Sequence, residues 1–170
     1  MKRVLVSAVL AAGLVGCGRP APTSAPAPLL DPKAATAVNA VGGFLQSLRA
    51  KDLDALKRAT DVPWYDTGAD RVITDREELA AHLNKRMSHT EPEKVPSLFS
   101  QVTPYSTERE GIKKEEVRGH LDKVLSKDDL IVRMAAAGDI VYVFVRISSD
   151  GTAHVVGFSA GSLELGGVGN

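Results

Sequence analysis

The chain has 170 residues, enough for one ordinary domain and too few for two large ones. Its 21 Lys+Arg balance 21 Asp+Glu, which excludes a strongly basic nucleic-acid binder and an acidic-tail protein, and 44% hydrophobic residues exclude a disordered chain. A single cysteine allows no intramolecular disulfide and no thiolate metal cluster.

Lys2 and Arg3 precede an uncharged apolar run, Val4 to Gly16. A basic start, a short apolar core and small residues before a cut are the order of a secretory signal. The run is shorter than the ~20 apolar residues that a membrane-spanning helix needs. It ends Leu14-Val15-Gly16-Cys17, which resembles the lipobox of bacterial lipoproteins. That resemblance implies that residues 1–16 are removed and that the Cys17 thiol carries a diacylglyceryl group. The protein is then expected on a membrane of the cell envelope, held by its acyl chains at ~0.8 kcal/mol per buried methylene. Gly18 stands where inner-membrane lipoproteins of this kind tend to have Asp, which points the expected address toward the outer membrane. Residues 17–32 carry Pro20, Pro22, Pro26, Pro28 and Pro32 and read as an extended tether between lipid and domain.

A domain is expected over 33–160. Val38, Val41, Leu45 and Leu48, widened by Phe44, form one apolar helical face. Gly42-Gly43 within it suggests close packing at that point. Asp52 caps a short second helix through Leu53 and Leu56. Pro63 ends helix, and Trp64-Tyr65-Asp66-Thr67-Gly68 reads as a loop, with Trp64 a plug under the first helix. Val72-Ile73 is extended, and Thr74 with Glu77 matches a capping box for a third helix bearing Leu79, Leu83 and Met87. His89 to Pro96 is polar loop, and Ser97 to Tyr105 is a strand broken by Pro104. Val117, Leu121, Val124 and Leu125 mark a fourth helix, interrupted by Gly119. Leu130–Ala136 and Asp139–Ile147 are strands, and Ser149-Asp150-Gly151 turns the chain into a partner strand, Thr152–Phe158. Residues 161–170 read as a glycine-rich, frayed tail.

This order of elements is similar to the nuclear transport factor 2-like superfamily, which includes ketosteroid isomerase and the SnoaL-like cyclases. The likeness is carried by Phe44 and Leu48, by Asp52-Leu53-Asp54, by Val72-Ile73 with Glu78-Leu79, and by Val155-Val156-Gly157-Phe158. It implies an α+β fold in which a curved, mostly antiparallel sheet packs on N-terminal helices as a cone. The cavity of such a cone binds a ligand, holds catalytic groups, or is filled, here by Phe44, Trp64, Tyr142 and Phe158. The fourth helix departs from the simplest version of that family.

No catalytic set is complete. Gly157-Phe158-Ser159-Ala160-Gly161 spells G-x-S-x-G, but no helix signal and no histidine follow Ser159, so a hydrolase elbow is rejected. His82, His89, His120 and His154 show no metal-ligand spacing, although His82 and His89 can share a helix face. No metal and no cofactor is implied. With a two-residue turn at Asp150-Gly151, Ile147 faces His154, Val145 faces Val156 and Val143 faces Phe158; a three-residue turn pairs Ile147 with Ala153 instead. In the first register His154 stands on an apolar face near its rim and is the weak acid–base candidate. The pocket candidates are therefore Trp64, Tyr65, Asp66, Tyr142, His154 and Phe158. The expected function is a non-enzymatic binding or assembly module anchored to a membrane. Its expected partners are a small apolar ligand or an envelope protein, not nucleic acid. The alternative is an isomerase-, cyclase- or dehydratase-like enzyme, or a ligand carrier, using His154 with a carboxylate such as Asp66.

Overall fold

The computed structural model describes residues 31–96, 98–136 and 139–160. The expected signal, Cys17, nearly all of the expected tether and the expected tail lie outside the described residues. Among the described residues no helix is long and apolar enough to cross a membrane.

Helix α1 runs Pro32–Ala50, one residue before the expected start of the domain at 33, because proline at the first turn gives up no hydrogen bond. It buries Ala37, Val41, Phe44, Leu45 and Leu48. Gly42 and Gly43 are not close-packing points: a Cβ at either would meet open space. Asp52 caps α2 (Leu53–Ala59) by accepting from the Ala55 N–H. Helix α3 spans Arg76–His89, and its cap is Asp75 rather than Thr74. One Asp75 oxygen accepts from both Glu77 and Glu78 N–H at 2.9 and 2.8 Å. A carboxylate there also complements the helix dipole, which a threonine hydroxyl cannot do.

Of the segment expected as a loop, Trp64 to Gly68, the first three residues end a strand, β1, Thr60–Asp66, and only Thr67-Gly68 turn. Strand β1 pairs antiparallel with β2 (Arg71–Ile73) and parallel with the last strand, β6 (Ala153–Ala160). The ladder to β6 breaks between Thr60 and Tyr65, the stretch that contains Pro63, where a missing N–H is tolerated. Arg146 fills the gap by donating to the carbonyls of Val62, Pro63 and Val124. Proline punctuation hid this strand because the compensating partner comes from far along the chain.

After a short 3-10 turn at Pro92–Lys94 come β3 (Leu98–Pro104), α4 (Tyr105–Glu108) and α5 (Glu115–Val124). Helix α5 passes through Gly119 without interruption and buries Leu121 and Val124. Strands β4 (Leu130–Ala136) and β5 (Asp139–Ile147) complete a sheet of order β2-β1-β6-β5-β4-β3, antiparallel except for β1 with β6. The domain is thus α+β, a curved and mostly antiparallel sheet packed on its N-terminal helices in a cone-like arrangement. One core lies between the sheet and α1–α3, through Phe44, Trp64, Val143 and Val155. A second lies on the other face, where Tyr65, Tyr142, Phe144 and Val156 meet Leu121 and Val124 of α5.

The β5–β6 hairpin combines both expected registers. Gly151 takes φ +84°, the turn is the longer one, and Ile147 pairs with Ala153 and Arg146 with His154. Val145 then pairs with Val155, but Phe144 pairs with Gly157, so Val156 is an extra residue. Beyond this bulge Val143 faces Phe158. One inserted residue reverses which side chains face which core.

Candidate functional site

The bulge divides the expected pocket residues between two faces. Ala153 and Val155 pack toward α1, so His154 between them faces the opposite way, with Val156 and Tyr142. Phe158, after the bulge, returns to the α1 side. Trp64 and Tyr65, adjacent on β1, likewise part: Trp64 joins the α1 core and Tyr65 the α5 core. The six candidates therefore form two groups of three, Trp64, Asp66 and Phe158 on the helical side, and Tyr65, Tyr142 and His154 beneath α5. His154 and Asp66, the pair named for an enzyme, do not share a site. Nor do Gly157 and Ser159 form an elbow, because both lie within β6 and Ser159 is buried.

On the α1 side Phe44, Trp64 and Phe158 make a triangle of rings with centroids 6.0 to 6.2 Å apart. Trp64 plugs the base of the first helix, as its size suggested. The triangle fills part of the cone and leaves an apolar cavity of about 250 Å³ beside it. Its walls are Phe44, Leu45 and Leu48 of α1, Val95, Val141, Val143 and Phe158. Arg49 ties α1 to the Val95–Pro96 segment by donating to both carbonyls. The cavity is half open, and Arg86 and His89 of α3 stand at its mouth.

The same two residues line an adjoining polar cleft with Asp66, Gly68, His82 and Lys85. Residues 82, 86 and 89 share one face of α3, by the spacing that put His82 and His89 together in the sequence. Asp66 is 6% exposed and well satisfied. Its Oδ1 accepts from the Gly68 and Ala69 N–H groups, and its Oδ2 lies 3.3 Å from His82 Nδ1. Burial pushes the His82 imidazole below its ordinary pKa, against the pull of Asp66. The neutral ring with Nδ1 turned to the carboxylate leaves Nε2 as the acceptor. Arg86 sits 3.8 Å from Asp66 Oδ1 and lies over the Phe158 ring, 4.9 Å from its centroid.

A second polar cluster lies under α5. The Tyr65 hydroxyl donates to Asp70 at 2.7 Å, and its ring stacks on His120 at 5.4 Å. Burial first, and Asp70 second, hold the phenol protonated far above its ordinary range. His82, Arg86, Asp70 and His120 were not among the expected pocket residues. Only the common helix face of His82, Arg86 and His89 could have signalled the first cluster. Among the described residues no group of three or more His, Cys, Asp or Glu is placed to hold a metal ion.

No family model matches the chain, and no curated protein matches it. Among solved structures, a protein from Shewanella frigidimarina NCIMB 400 provisionally named a ketosteroid isomerase superposes with a TM-score of 0.45 at 13% identity. The match covers 76% of this chain and 97% of that one.

Proposed function

We propose that this is an exported, lipid-anchored envelope protein whose domain is a binding module for a small, largely apolar ligand. The observation that carries the binding role is the half-open cavity of about 250 Å³ walled by Phe44, Leu48, Val141, Val143 and Phe158. Apolar cavities of ~150 Å³ already take up benzene, so this one has room for a ligand of about ten heavy atoms. The anchoring role rests on Leu14-Val15-Gly16-Cys17 at the end of the apolar N-terminal run.

Each role has its own test. A panel of small apolar compounds should raise the melting temperature of the wild type, and Leu48→Trp, which fills the cavity, should abolish the shift. Failure of every compound, or shifts that survive Leu48→Trp, would remove the cavity from the function. Cys17→Ser should release the protein from the membrane fraction; a free Cys17 thiol in the native membrane protein, by intact mass, would end the anchoring proposal.

A further inference from the structure

On the strength of the binding-module reading, we infer that the ligand is an amphiphilic anion, its apolar body in the cavity and its carboxylate paired with Arg86 at the mouth.

Arg86 is the cation placed at the seam of the two spaces, lining both the apolar cavity and the polar cleft. It is held there by the face of Phe158, which is itself a cavity wall. Its side chain is 38% exposed, so a ligand can reach it. The nearest carboxylate, Asp66, is 3.8 Å away, beyond hydrogen-bond distance, and is already engaged by Gly68, Ala69 and His82. Among the described residues no oxygen accepts a hydrogen bond from the Arg86 guanidinium. A planar donor with a free edge beside an apolar wall matches a carboxylate on a hydrocarbon stem.

The other charges at the mouth do not cancel Arg86. Lys94 and Glu91 pair with each other at 2.8 Å. Lys85 adds a further positive charge along the cleft. His89 turns its Nδ1 to the Lys85 carbonyl at 2.7 Å. A cationic head would be repelled, and a neutral head would leave the guanidinium to water. The apolar walls supply affinity common to all three, and Arg86 supplies the difference.

Titration calorimetry of the purified full chain with octanoate, 1-octanol and octylamine at pH 7.5 tests this. The wild type should bind octanoate roughly tenfold more tightly than 1-octanol, the scale of one charge-assisted pair, and octylamine least. Arg86→Gln should erase the octanoate preference, octanoate weakening to the level of 1-octanol. Equal binding of octanoate and 1-octanol by the wild type, or a preference that survives Arg86→Gln, would overturn the anion and leave the apolar module standing. Absence of binding by either to the folded wild type would overturn both. Should Arg86→Gln not fold, the wild-type preference at low and high salt decides alone, because an ion pair at a half-open mouth weakens with salt. A preference indifferent to salt would overturn the assignment to Arg86.

Discussion

His82 Nδ1 lies 3.3 Å from Asp66 Oδ2, joining the middle of α3 to the end of β1. Burial outweighs this carboxylate and lowers the imidazole pKa, so the native state resists protonation of His82. The unfolded chain takes that proton first as pH falls below about 6.5. The contribution of neutral His82 is therefore complete above that pH and is lost as pH falls through the lower native-state value. Melting temperature should decline between pH 7 and 5, and His82→Gln should flatten the decline. Asp122 and Asp150, both held below the usual carboxylate range by hydrogen bonds, act at lower pH. An unchanged slope in His82→Gln would show that the pair does not couple stability to pH.

Gly157 is where the β6 bulge meets β1. A Cβ there would lie 2.8 Å from the Tyr65 carbonyl oxygen and 2.9 Å from the Phe144 ring, at φ +154°. Both neighbours are fixed, one as backbone and the other as a fully buried side chain. Gly157→Ala should cost about 3 kcal/mol in urea unfolding, from overpacking and backbone strain together. Gly151→Ala, with φ +84° but open space around it, should cost only ~1 kcal/mol. Equal losses for the two would mean that close approach at the bulge is unimportant.

Asp129 is 3% exposed and ties the end of α5 to β5. Its carboxylate accepts from the Ser126 N–H at 2.7 Å and the Ile147 N–H at 3.0 Å. Asp129→Ala leaves both donors unpaired and should destabilise the domain by about 2–4 kcal/mol. Asp129→Asn keeps one carbonyl acceptor and should lose less. Chemical denaturation of the two variants checks the order, and an alanine variant within 0.5 kcal/mol of wild type, the range of an ordinary surface change, would contradict it.

Helices α1, α2, α3 and α5 and the β5–β6 hairpin were legible in the sequence because their signals are local. Apolar spacing in α1 and α3, the Asp52 cap and the β-branched run Ile140 to Ile147 each lie within one element. Strand β1 was not legible. Its proline is tolerated only because Arg146, from a distant strand, satisfies the carbonyls beside it. The candidate site was equally hidden. Sequence adjacency grouped Trp64 with Tyr65, and strict alternation grouped His154 with Phe158, but β1 parts the first pair and the Val156 bulge parts the second. A side chain's face depends on the parity of the residues before it, so one unpaired residue exchanges the two cores. Composition and pattern determined that this chain builds an α+β domain. Only the tertiary structure decided that Asp66, His82, Arg86 and Phe158 meet where the cavity joins the cleft, because three separate elements must dock before those four side chains can come together.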